Sequence, residues 1–256
     1  MSVTDRQAVI EALRLRVKGL ERGASQGRSD RGEALPFGIG PIDAALPEGG
    51  MVRAALHEVF DGNPYPNHGA VAAAWIGGIA ARLDGVVLWC LRGAELHGAA
   101  LACLGLNPAR LILAQARSQA EILWSMEEGL RHPGLAAVVG ELTKLDLTPS
   151  RRLQLAAETS GVTGFVLHRG DAEIDRPNAA MSRWRVSSLP STPLPVPGIG
   201  RARWHMELLR CRGGKPAAWI VESCDETGHL HLPAELADRS AASRPGSERS
   251  KAAAAG

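Results

Sequence analysis

Cysteine is sparse in this chain and forms no recognisable ligand pattern. Cys90, Cys103, Cys211 and Cys224 are far apart, with no C-x-x-C pair and no Cys/His spacing suited to zinc. No metal site is therefore expected, and a reducing compartment is the natural setting. Long apolar runs are also missing. Nothing approaches the ~18 residues of a membrane span, and the first residues are polar, without the apolar core of a secretion signal. The expectation is a cytoplasmic protein with no membrane contact. Charge of one sign is lacking as well: 29 basic and 27 acidic residues give a net +2, too little for the whole-molecule field to dictate nucleic-acid binding. What is present is ordinary for a globular protein, with 45% apolar and 22% charged residues in 256, enough for one large α/β domain.

Thr4-Asp5-Arg6-Gln7 fits a capping box. It opens an amphipathic helix over residues 1–22, whose narrow stripe Ile10, Leu13, Val17 and Leu20 is flanked by Arg14, Arg16, Lys18 and Arg22. Residues 23–34 read as a flexible linker. A helix so tethered cannot bury its stripe alone, so it docks on the body of the protein, on a partner chain, or serves as a basic arm. The body spans residues 35–237. Apolar runs at Met51–Phe60, Val86–Leu91, Leu111–Leu113, Ala136–Leu142 and Gly164–His168 alternate with helical patterns at His68–Leu83, Ala94–Leu104, Ser118–Arg131 and Pro149–Ser160. Strands alternating with helices predict β-α-β units and a mainly parallel sheet covered on both faces. After Arg169 the pattern changes to strands at Ser182–Val186, Ala202–Cys211 and Ala217–Glu222, the last two joined as a hairpin. Residues 238–256 are rich in Ser, Arg and Ala and read as disordered.

Between the first strand and the His68 helix lies Gly62-Asn63-Pro64-Tyr65-Pro66-Asn67-His68-Gly69. A phosphate-binding P-loop has the layout G-x-x-x-x-G-K-[ST]. Counting from Gly62 puts Asn67 at the second glycine, His68 at the lysine and Gly69 at the hydroxyl residue. The ammonium that reaches phosphate and the hydroxyl that holds Mg²⁺ are both missing. A weak anion site on Gly62, Asn67, His68 and Gly69 survives in principle, because backbone N–H groups at a helix start attract anions; Pro64 and Pro66 thin it. A Walker B strand would end in a carboxylate, but Ala137-Val138-Val139 runs into Gly140, with Glu141 one residue late and so on the opposite face. After the second strand, Arg92 stands nearest the place of a water-orienting carboxylate, with Glu95 as a candidate explained equally by a helix dipole. ATP and Mg²⁺ are thus not expected as cofactors, and no catalytic residue is assigned. Arg183, Trp184, Arg185, Arg201 and Arg203 form a basic-aromatic cluster that offers DNA contact by stacking and phosphate neutralisation; strand alternation instead buries the tryptophan. The acidic loop Arg169–Asn178 argues against direct strand binding. The histidines are scattered, and only His229-x-His231 are close.

Several phrases resemble the RecA-like core. Phe37-Gly38-Ile39-Gly40-Pro41-Ile42-Asp43 through Gly49-Gly50 is similar to the segment before that fold's P-loop strand. Leu104-Gly105-Leu106-Asn107-Pro108 resembles its passage into the third strand, and Arg210-Cys211-Arg212-Gly213-Gly214-Lys215-Pro216 its late hairpin. More narrowly, Glu207–Gly214 and Val221–Gly228 resemble the C-terminal signature of the ImuA family, RecA/SulA-like mutagenesis proteins, and the likeness covers about nine-tenths of the chain. The resemblance implies an accessory factor for damage-induced translesion DNA synthesis. Its implied partners are an ImuB-like Y-family protein and an error-prone replicative-type polymerase, with RecA a further candidate and DNA contact indirect. It would be cytoplasmic and nucleoid-associated when engaged. Two other readings remain: a divergent DNA-stimulated ATPase acting on recombinase filaments, and a SulA-like inhibitor of cell division.

Overall fold

The computed structural model describes residues 34–62, 70–93, 96–170, 173–191, 198 and 200–233. The expected N-terminal helix, the linker through Glu33, residues Asn67, His68 and Gly69 of the loop, Glu95 and the C-terminal tail lie outside them. Eight strands form one sheet: β1 Leu56–Asp61, β2 Val86–Leu91, β3 Leu111–Gln115, β4 Leu135–Leu142, β5 Thr163–His168, β6 Ser182–Leu189, β7 Arg203–Cys211 and β8 Ala217–Glu222. Their spatial order is β3-β2-β4-β5-β1-β6-β7-β8. The pairs from β3 to β6 are parallel, and β6–β7 and β7–β8 are antiparallel. This is the expected α/β architecture: a mainly parallel RecA-like sheet extended by antiparallel C-terminal strands, with helices on both faces.

The helices are α1 Gly40–Asp43, α2 Ala70–Ala81, α3 Gly98–Ala102, α4 Gln119–Leu130 and α5 Leu147–Ser160. Helix α2, Ala70-Val-Ala-Ala-Ala-Trp-Ile-Gly-Gly-Ile-Ala-Ala81, is apolar all round and is accordingly buried on most sides. It packs on β1, β5 and β6. Trp75 lies 5.2 Å from Trp184, and its Nε1–H points at Met206 Sδ, 3.1 Å away. This side of the sheet, face A, also buries Val59, Trp89, Val139, Leu167, Trp204 and Val221. Face B carries α4 and α5 over Leu56, Cys90, Val138, Leu142 and Val166. Helix α4 is capped by Ser118, whose hydroxyl accepts from Glu121 N, and α5 stops where Gly161 takes the left-handed conformation at φ 85°. Gln154 keys α5 into the sheet by accepting from Leu56 N at 2.8 Å. Buried Cys90 and Cys224 behave as small apolar groups, and burial pushes both thiols up to about 12.

Three elements differ from the sequence pattern by three residues or more. The first strand begins at Leu56 rather than Met51, because Met51 pairs antiparallel with Leu35 and the chain bends before re-entering the sheet. The helix expected over Ala94–Leu104 is only Gly98–Ala102 among the described residues. Strand β6 extends to Leu189, since β7 supplies a ladder along its whole length.

Candidate functional site

Ligands of open α/β sheets sit outside the carboxyl ends of the parallel strands. Here Gly62 follows β1, Gly140 and Glu141 lie near the end of β4, and Arg169 follows β5. Gly62 N donates to Val186 O at 3.0 Å, and a Cβ on Gly62 would overlap Ser187 Oγ and press on Arg185. Close approach of β6 therefore demands glycine here, whatever the following loop binds. Gly140 faces α4, where a Cβ would run into Met126 Sδ. No carboxylate fits at that position without displacing a fully buried side chain.

Glu141 points the other way, to face A, the face of α2. Its Oε1 accepts from Trp89 Nε1 at 2.9 Å and from Arg169 Nη2 at 2.9 Å, and its Oε2 from Arg169 Nε at 2.9 Å. A bidentate guanidinium in the plane of a carboxylate is a strong, directional contact. It offsets the charge that would draw Mg²⁺ and, with Trp89, occupies three of the roughly four acceptor sites of the carboxylate. Arg92 is exposed at the end of β2. Among the described residues no cluster of His, Cys, Asp or Glu is arranged to hold a metal ion.

The basic-aromatic cluster is divided by strand alternation. Trp184 is fully buried on face A, and its Nε1 donates to Ser182 Oγ at 2.7 Å. Ser182 in turn lies 2.6 Å from His57 Nδ1, while His57 Nε2–H donates to Val52 O at 2.8 Å. Burial lowers the His57 pKa from 6.5 to about 4, so this relay runs through a neutral ring. Arg183 and Arg185 point to face B. Arg185 makes a bidentate pair with Glu207 at 2.6 and 2.7 Å, and those hydrogen bonds hold the Glu207 carboxyl below its ordinary range. Of the five residues, only Arg201 is exposed; Arg203 is half-buried, and its Nε is buried with no hydrogen-bond partner among the described residues.

Sequence reasoning missed a buried carboxylate with three side-chain partners. Glu58, in the middle of β1 and only 1% exposed, accepts from His168 Nε2 at 2.9 Å, Asn178 Nδ2 at 2.6 Å and Arg183 Nε at 2.8 Å. Arg183 also donates to the carbonyls of Ile174 and Arg176, the latter at 2.8 Å. Phe60 stacks on His168 with centroids 4.1 Å apart. Desolvation raises the Glu58 pKa, but the bonds from His168, Asn178 and Arg183 outweigh it and leave it below the ordinary value. The network fastens the β5–β6 connection to the underside of the sheet. The signal was present: a charged residue inside the apolar run Leu56-His57-Glu58-Val59-Phe60 must find partners.

A second feature lay equally outside the expectations. The groove between α4 and α5 exposes Trp124 at 66% and Leu155 at 63%. Glu127 sits on its floor with Arg131 and Arg152 across it. The stripe Ile10, Leu13, Val17 and Leu20 and the loop residues Asn67, His68 and Gly69 belong to segments outside the described residues.

No protein-family model matches the chain. It is 40% identical over 232 residues to Protein ImuA of Caulobacter vibrioides, in strain NA1000 / CB15N and in strain ATCC 19089 / CIP 103742 / CB 15. The match covers 84% of this chain and 95% of each relative.

Proposed function

The chain belongs to the ImuA family, and from that premise we propose that it is an assembly factor in damage-induced mutagenesis, working without ATP turnover. In this reading it joins an ImuB-like Y-family protein and an error-prone polymerase, and the RecA-like core is a scaffold rather than an engine. The observation that supports it is the state of Glu141. This carboxylate, the one nearest the place of a Walker B residue, is held by Arg169 and Trp89, while Gly140 is packed against Met126. The loop Gly62–Gly69 supplies neither the lysine nor the serine or threonine of a P-loop, so a resident Mg-ATP would lack both of its usual side-chain contacts. The N-terminal stripe Ile10, Leu13, Val17 and Leu20 is the surface we assign to a protein partner, by the helix-in-groove mode. DNA then reaches the complex through the partners.

Tagged protein purified from DNA-damaged cells should bring down a Y-family-like protein and an error-prone polymerase. Recovery of neither would remove the adaptor reading. A second reading has one observation in its favour: Glu141 lies on face A, the side of the helix that follows the loop. If the chain is a divergent DNA-stimulated ATPase, Glu141→Gln must abolish a turnover measurable in the wild type.

A further inference from the structure

The surface helices α4 and α5 leave open a groove that the fold itself does not need. One pocket of about 610 Å³ is lined by Pro133, Leu155 and Ala156, and a second of about 250 Å³ by Leu123, Trp124 and Pro149. Both reach Glu127 and Arg152, so they are two ends of one trough. Trp124 and Leu155 stand at 66% and 63% exposure, the two most exposed large apolar side chains among the described residues. An aromatic ring and a leucine left open beside a two-part cavity are unusual on a surface with nothing to bind.

The lining of the groove is net positive, with Arg152 at the saddle between the pockets and Arg131 in the larger pocket against the single carboxylate of Glu127. Glu127 is 8% exposed, whereas Arg131 and Arg152, both paired with it, are 57% and 64% exposed. Arg131 also reaches Glu128, which lies outside the lining of the groove. An approaching chain therefore meets two guanidinium heads over a shielded carboxylate. Guanidinium is the side chain best suited to recognising a carboxylate.

We propose that this groove docks a segment of a partner protein that carries two large apolar residues with an Asp or Glu between them. The spacing follows from the helices. Trp124 on α4 and Arg131 at its C-cap mark the two pockets and lie seven residues apart, about 10 Å at 1.5 Å rise per residue. A docked helix spans that distance with anchors at i and i+7, and a polyproline II segment, with three residues per turn, spans about the same distance with anchors at i and i+3. The chain's own N-terminal helix offers a pair of that spacing, Ile10 and Val17. It would however bring Arg14 and Arg16 towards the guanidinium heads, so charge selects against it. The groove is a different surface from that helix, and its test does not depend on which complex the chain joins.

The test is selection of random 14-residue peptides displayed on phage against the full chain, with the Trp124→Ala/Leu155→Ala protein as counter-selection. Both side chains are largely exposed, so the double variant folds, as a thermal melt would verify. The expected consensus is two large apolar residues at i and i+7, or at i and i+3, with Asp or Glu between them. A synthetic peptide of that consensus should bind the double variant and Arg152→Ala at least tenfold more weakly than the wild type. Lysine in place of its acidic residue should weaken binding by a similar factor. No enrichment, a basic or neutral consensus, or binding indifferent to the three substitutions would overturn the proposal. So would a dimer in sedimentation that the double variant disperses, which would make a second copy the occupant. Tighter peptide binding by the full-length Leu13→Asp/Val17→Asp variant would likewise assign the groove to the chain's own helix.

Discussion

Glu58 and Glu127 are both buried carboxylates on face B, and each receives guanidinium, yet their surroundings are opposite. The partners of Glu58 are sealed with it: His168 and Arg183 are 4% and 7% exposed. The partners of Glu127 stand in solvent at 57% and 64%. The first cluster closes the sheet beneath the β5–β6 connection, beside a pocket of only about 10 Å³. The second is a fastening on one side and a recognition surface on the other. Burial of a charge alone does not mark function here; the exposure of its counter-charges separates scaffold from interface.

The largest expected effect breaks the closed cluster. Glu58→Ala leaves Arg183 buried without its carboxylate, and such a loss costs roughly 3–5 kcal/mol of stability. Glu127→Ala, whose arginines can turn to water, should cost about 1 kcal/mol or less. Urea denaturation of the two variants measures the difference directly, and equal costs would erase the distinction between the clusters.

Next in size is acid sensitivity. His57 has its pKa depressed by burial from 6.5 to about 4, so the unfolded chain takes up a proton that the folded chain refuses. Stability from this group is fully present above 6.5 and is lost as pH falls towards about 4, by roughly 3 kcal/mol. Glu58, depressed below its ordinary 4.5, adds a loss in the same direction below that value. A denaturation midpoint that stays flat between pH 7 and pH 4.5 would show that His57 is not buried neutral.

Smaller again is Glu141→Gln, which keeps an acceptor for Trp89 but loses the ion pair to Arg169. A cost of about 1–2 kcal/mol is expected. If stability rose instead, Glu141 would be a residue held at a structural cost, the signature of a retained catalytic group. Smallest is Trp124→Ala, within about 0.5 kcal/mol of wild type. A loss of several kcal/mol would place Trp124 in the core and close the groove.

The sheet was legible because buried parallel strands are written as continuous apolar runs bounded by turns, as Val86–Leu91 and Ala136–Leu142 are. The faces were legible from period two, which put Gly140 and Glu141 on opposite sides. The Glu58 network was not, since His168, Asn178 and Arg183 lie 110, 120 and 125 residues away, and no local pattern encodes such a meeting. The division of Arg183, Trp184 and Arg185 between faces followed from alternation, but their partners, Glu58 and Glu207, depended on register. The groove escaped notice because α4 and α5 each bury an ordinary stripe; only their packing shows that Trp124 and Leu155 flank a trough. Strand boundaries slipped where a bridge such as Leu35–Met51 lies outside the sheet.

The most direct test of the central claim is damage-induced mutation frequency in cells whose only copy of the chain is a variant. Cells carrying His68→Ala with Glu141→Gln should mutate at the wild-type frequency. Cells carrying Leu13→Asp with Val17→Asp should fall to the background of cells lacking the chain. Loss of mutagenesis in the first strain and its retention in the second would contradict an adaptor and restore a nucleotide-driven machine.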